Sequence, residues 1–287
     1  MSNLLSGLES MGLGDLSGMD IYAKPKNTGA FTGGLGAQAI QMTEADFLFD
    51  KTYQCPVCGK TFKSKTVKAG KVKLESVDAD LRPRYKGIDP LKYDAIVCTN
   101  CGYAALSRYF NFMTRTYANI IKECISSNFV NHFKDSDTYS YDEAITRHKL
   151  ALLNAVMKRA KDSEKAYTCL KIAWLLRGQA QTLDINEPDA ANKIRKIRKE
   201  EEEFIEKAYE GFKTAYKSEV FPMCGMDEAT WEYMNANLAR ELEKYDDAMM
   251  YLSRVLLSKS TNERIKGKAR ELKDILKEEI KADDKEQ

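Results

Sequence analysis

The period of the hydrophobic positions changes close to residue 112. Before it, short segments alternate polar residues with apolar or β-branched ones, the period of a half-buried strand. Thr61–Val67 and Lys71–Val77 alternate in this way on either side of Ala69-Gly70 and predict a hairpin with one wet face. Lys51–Gln54 reads as a strand before them, and Tyr93–Val97 as one after them. Beyond residue 112 the apolar positions recur every three or four residues. Helices are predicted over about 113–127, 141–158, 163–181, 188–218, 228–243, 245–258 and 262–282. Start signals are Ser140, Asp162, Asn186 with Pro188 in the first turn, and Asp227; Pro222 and Gly225 separate two of the helices.

A degenerate repeat runs through these helices. Tyr141-Asp142-Glu143-Ala144 returns as Tyr245-Asp246-Asp247-Ala248. A small residue, a bulky one four later and a small one seven later occur at Ala166/Leu170/Ala173 and Ala208/Phe212/Ala215, and the same spacing holds at Ala248/Leu252/Val255. Small residues at that spacing let paired helices approach closely. The pattern resembles the second helix of tetratricopeptide (TPR) repeats, although the alanines recur at longer intervals than that family's period of about 34 residues. The expected fold is therefore mainly α: a TPR-like α-helical solenoid of stacked helix hairpins, with a small N-terminal β module that the cysteine spacing below identifies as a zinc ribbon. The expected division is a glycine- and serine-rich disordered tail over 1–43, a ribbon over 44–112 and a helical domain over 113–287.

Cysteine spacing supplies the ribbon. Cys55-Pro56-Val57-Cys58-Gly59 and Cys98-Thr99-Asn100-Cys101-Gly102 are two matched Cys-x-x-Cys-Gly units. Two residues between paired cysteines let both sulfurs reach one ion, and the glycine permits the tight turn. Cys55, Cys58, Cys98 and Cys101 are thus expected to hold one structural zinc ion, with no coordination position open for catalysis. The other three cysteines, Cys124, Cys169 and Cys224, are too scattered for a disulfide framework, as in a reducing compartment. Cys224-Gly225 looks like half a knuckle, but Phe221 stands where its first cysteine belongs.

Charge changes the picture locally. The chain carries 45 basic and 43 acidic residues, yet ten basic residues face only four acids between Lys60 and Lys92. Lys63, Lys65 and Lys73 are the candidate contacts if this ribbon face binds nucleic acid; the plainer reading is a solvated sheet face. The Lys193–Lys199 run followed by Glu200–Glu203 reads as the solvated side of a helix, with Lys196–Glu200 and Lys199–Glu203 as neighbouring pairs. Asp78 and Asp80 suit surface or loop-capping roles, and His148 occupies a bulky packing slot between Ala144 and Ala151. No catalytic constellation is evident. No charged leader precedes an apolar run, and no window reaches eighteen apolar residues, so a cytoplasmic chain without membrane contact is expected. Function is read as that of a zinc-binding adaptor for a protein or peptide partner, with Trp231, Asn235 and Asn237 as candidate groove residues. The alternative is a nucleic-acid-associated regulator.

Several segments together resemble an uncharacterised bacterial family, domain of unknown function twenty-two twenty-five. They are Tyr53–Lys60, Tyr93–Cys98, Cys101–Ala105, Ala166-Tyr167 with Ala173-Trp174-Leu175, and Phe221–Glu228. The resemblance spans about residues 47–282. It implies a bacterial cytoplasmic protein with an N-terminal zinc ribbon and TPR-like helices, and it brings no activity.

Overall fold

The computed structural model describes Met42–Glu286; the expected tail lies almost wholly outside these residues. The described residues carry six short strands ahead of the helices: β1 (Leu48–Gln54), β2 (Thr61–Val67), β3 (Leu74–Val77), β4 (Pro83–Tyr85), β5 (Ala95–Val97) and β6 (Ala104–Leu106). They pair as three separate antiparallel ladders, β1–β2, β3–β4 and β5–β6. The hairpin expected between 61–67 and 71–77 does not form. The first cysteine knuckle is itself a hairpin turn and returns β2 onto β1, with Tyr53 opposite Phe62 and Gln54 opposite Thr61. Ala69-Gly70 lies in a turn that leaves this ladder, and β3 pairs forward onto β4 across the Asp78–Arg82 turn.

Seven helices follow: α1 (Arg115–Ile121), α2 (Tyr141–Met157), α3 (Asp162–Thr182), α4 (Ala190–Ser218), α5 (Glu228–Glu241), α6 (Tyr245–Leu257) and α7 (Glu263–Glu286). A single π-helical turn, Lys122–Ser126, extends α1. The chain is therefore mainly helical, with small β hairpins at the start of the described residues. Ser140 and Asp227 cap as their sequence positions predict, accepting from Glu143 N at 3.1 Å and Thr230 N at 2.8 Å. Asp162 instead becomes the first residue of α3, and α4 starts only after Asp189, past Pro188.

The small–large–small triplets all face the interior. Ala166, Leu170 and Ala173 are buried, as are Ala208, Phe212 and Ala215, and Ala248, Leu252 and Val255. Successive helices pack on one another, α2 on α3, α3 on α4, α5 on α6 and α6 on α7. Helix α2 also packs on β5 and β6 through Ala151 against Ala95, Val97 and Ala104.

The three residues expected to line a partner groove are in this core. Trp231, Asn235 and Asn237 each have 0% of their surface exposed. Helix α5 touches α4, α6 and α7, so every residue from Trp231 to Ala239 is buried. A helix covered on all sides has no groove face. The Trp231 ring stacks on Tyr216 at 4.9 Å and meets Phe212, Phe221 and Tyr251 edge-on. The two asparagine side chains donate back to the carbonyls of Trp231 and Tyr233 within their own helix.

Asp80, expected in a surface or loop-capping role, does cap its turn but is fully buried. Its Oδ2 accepts from Trp174 Nε1 and Arg177 Nη1, both at 2.7 Å, while Oδ1 caps the turn by accepting from Arg82 N. Arg177 also donates to Glu201 of α4 at 2.6 Å and to Glu241 of α5 at 2.9 Å. One guanidinium thus ties the β3–β4 turn to three helices. Most of the charged run on α4 is exposed, as its composition implies, but Glu200 pairs across to Lys149 of α2.

Candidate metal centre

Two short turns of the same shape build the site. Each begins where a strand ends, and each returns to a strand six residues after its first cysteine: Cys55 to Thr61, and Cys98 to Ala104. Gly59 N donates to Cys55 O and Gly102 N to Cys98 O, both at 2.9 Å. Closing the turns, Cys55 N donates to Lys60 O and Cys98 N to Tyr103 O. Both glycines have φ +74°, a conformation that a Cβ disfavours.

The turns bring four sulfurs together. Cys55 Sγ is 3.6 Å from Cys101 Sγ, Cys58 Sγ is 3.7 Å from Cys98 Sγ, and all four lie within 4.8 Å of one another. A tetrahedral ion with metal–sulfur bonds of about 2.3 Å requires sulfurs about 3.8 Å apart, so the donor set has the dimensions of such a site. Four thiols at this spacing perturb one another. Hydrogen bonds from Cys101 and Cys55 pull the Cys98 thiol down, while those to Cys55 and Cys98, with burial, push Cys101 up. A cation at the centre is what allows all four to be thiolates together. Val57 N points at Cys55 Sγ from 3.4 Å.

The surroundings hold the second turn more firmly than the first. Ser126 Oγ, in the π-helical turn, donates to Cys101 O at 2.8 Å. Asn154 Nδ2 of α2 donates to Gly102 O at 3.1 Å. Tyr53, Phe62, Tyr103 and Phe110 form an aromatic wall, with Tyr103 OH donating to Phe110 O. A Cβ on Gly102 would lie 2.5 Å from the Phe129 ring, whereas one on Gly59 would meet nothing within 4 Å. Gly102→Ala is therefore expected to lower stability well beyond the ~1 kcal/mol of left-handed strain that Gly59→Ala incurs. Urea denaturation of the two variants side by side measures the difference.

The other candidates lie elsewhere. Lys63 and Lys65 share one face of β2, but Lys65 is ion-paired to Asp50 at 3.0 Å, and Lys73 belongs to the segment leading into a different ladder. Cys169 is buried in the helical core, which pushes its thiol up to about 12. Cys224 Sγ donates to Ser163 O and accepts from Tyr109 OH, far in sequence from the four-cysteine cluster. His148 is completely buried and donates Nδ1–H to Ala144 O; burial lowers its pKa to about 4, so it packs as a neutral ring. The Arg177 cluster escaped the sequence reading because Arg177 lies 97 positions from Asp80, 24 from Glu201 and 64 from Glu241.

A family model described as an uncharacterized protein conserved in bacteria (DUF2225) matches residues 48–276. That interval contains all four cysteines and the helices through most of α7. No curated protein and no solved structure matches the chain. Among the described residues, no helix is long and apolar enough to cross a membrane.

Proposed function

The chain belongs to this uncharacterised family conserved in bacteria (DUF2225), and on that footing we propose that it is a non-enzymatic adaptor whose ribbon is folded by a structural zinc ion. The observation that carries the reading is the spacing of the four sulfurs of Cys55, Cys58, Cys98 and Cys101. Four thiolates complete a tetrahedral shell, so the ion has no position for substrate or water and acts on folding. Soft sulfur donors in that geometry suit zinc.

The helical part is read as a short TPR-like stack that presents its outer faces to a protein or peptide. In support, consecutive helices are spatial neighbours and the repeated alanines are buried. The partner surface has to be sought on exposed helix faces, since Trp231, Asn235 and Asn237 are interior.

A second reading, a nucleic-acid-associated regulator, is favoured by one observation. Lys63 and Lys73 are exposed and make no ion pair among the described residues, in a segment rich in basic groups. Affinity capture of the intact protein from its native lysate, with and without nuclease, separates the two readings. The adaptor predicts one zinc per chain and a protein partner retained after nuclease, by wild type and by the Lys63→Glu/Lys73→Glu variant alike. Partners lost on digestion, together with loss of bound nucleic acid in that variant, would overturn the adaptor in favour of the regulator.

A further inference from the structure

A cleft of about 360 Å³ opens between the 108–112 segment after β6, the first turn of α3 and the 219–225 segment after α4. Two of the most exposed large apolar side chains among the described residues line it: Phe112, 72% exposed, and Val220, 86% exposed. The backbone is extended at Glu219 (φ −115°, ψ 159°), and neither main-chain group of Val220 is hydrogen-bonded among the described residues.

Arg108 brings charge to this apolar pair. Its side chain is exposed yet held in place: Nη1 donates to Cys224 O, and the guanidinium lies over the rings of Tyr109 and Tyr167 at 5.6 and 5.7 Å. Gly225, with φ +77°, makes room for it, since a Cβ there would be 2.6 Å from Nη2. Neither Arg108 nor the exposed Lys161 across the cleft is paired with a carboxylate among the described residues. The two acids of the lining are already engaged. Glu164 pairs with the buried Lys158 at 2.8 Å, and both oxygens of Glu219 accept from Ser163 in the first turn of α3. A planar cation fixed at the surface loses little freedom when a carboxylate docks on it. Covering the exposed apolar side chains beside it adds a hydrophobic gain.

We propose that this cleft is a docking surface for a partner protein, and that its occupant is a short extended segment carrying an apolar side chain beside a carboxylate. The carboxylate sits on Arg108, with Lys161 strengthening the field, and the apolar side chain lies between Phe112 and Val220. The free main-chain groups of Val220 pair with the backbone of the segment. The proposal rests on the adaptor reading, adds to its helix faces a site at the first turn of α3, and names the chemistry of the partner.

Photo-crosslinking in native lysate tests it on the full-length, metal-loaded protein. The probe, p-benzoylphenylalanine, replaces Phe112 and, as a control, Leu257, which is 82% exposed at the end of α6. The probe at 112 should join the chain to one protein, at a segment with an Asp or Glu beside an apolar residue, and the probe at 257 should not. Val220→Ser and Arg108→Gln should each lower the yield about tenfold or more. Because Arg108 also braces the turn at Cys224, Lys161→Glu provides a variant whose folding is not at issue. It should lower the yield as well, whereas Lys259→Glu, exposed beyond α6, should leave it unaltered. A crosslinked segment without an acid, or an undiminished yield in Lys161→Glu, would overturn the assignment. A protein partner retained in affinity capture but never joined at 112 would overturn it while leaving the adaptor standing; no retained partner would overturn both.

Discussion

Cys98→Ser is expected to release the metal and unfold the ribbon while leaving the helical core largely intact. The apparent binding free energy of structural zinc sites is about 10–16 kcal/mol, and in small modules it is folding free energy. The ribbon has little else of comparable size: its strands are three to seven residues long, and its ladders are two-stranded. The helical core draws on a separate cluster of buried side chains, to which the ribbon contributes little beyond Leu91. Metal analysis should therefore fall from one ion per chain towards zero. Amide exchange should become fast across β1, β2, β5 and β6 and stay slow in α3, α5 and α6. Chelation of the wild type should give the same pattern. Stoichiometric metal in a Cys58→Ser/Cys98→Ser double variant would refute the tetrahedral assignment.

Arg177→Met should be the most damaging change outside the cysteines. It leaves Asp80 buried without a cation and Glu201 with only the half-exposed Arg198; removing one partner of a buried pair typically costs about 3–5 kcal/mol. Asp80→Asn should cost less, because the amide oxygen still accepts from Trp174 and one excess negative charge is removed. The loss in Arg177→Met should also grow with pH. Burial already pushes Glu241 up to about 7 in the wild type, ahead of the opposing pull of Arg177. A carboxyl whose folded pKa is raised holds its proton more tightly in the folded chain. Its contribution is therefore most favourable below about 4.5, declines as pH rises towards about 7, and is flat above. Without Arg177 that decline extends to higher pH, because the pull that opposes burial is gone. Urea titrations at pH 5.5 and pH 8 should show the larger deficit at pH 8, and an equal deficit at both would refute the account.

The sequence made the helices legible because their apolar positions repeat over many turns; α2, α3 and α6 end within a residue or two of where periodicity places them. The cysteine turns were equally plain, since each is complete within five residues. What was not legible depends on distance. Lys71–Val77 alternates correctly for a strand, but alternation does not name the partner strand, and β3 pairs forward where a backward pairing was expected. Trp231-Glu232-Tyr233-Met234-Asn235 looks half polar, so its burial follows only from three neighbouring helices closing around it. Asp80 is an ordinary turn aspartate until Trp174 and Arg177 arrive from α3. Pairings of that kind are set by packing and leave no local pattern.

The position of Asp80 between the two cysteine turns would give a metal ion held there a reach beyond the ribbon. Cys58 and Cys98 are 40 positions apart, and joining them through one ion closes a loop that contains the whole β3–β4 hairpin. In the chain-entropy model a cross-link of that span removes about 4 kcal/mol of freedom from the unfolded state. The same closure confines Asp80 to a small volume before it meets Arg177. Thermodynamic reciprocity then runs both ways: an ion bound at the cysteines raises the effective concentration of the aspartate at the helices, and docking of the aspartate tightens the hold on the ion.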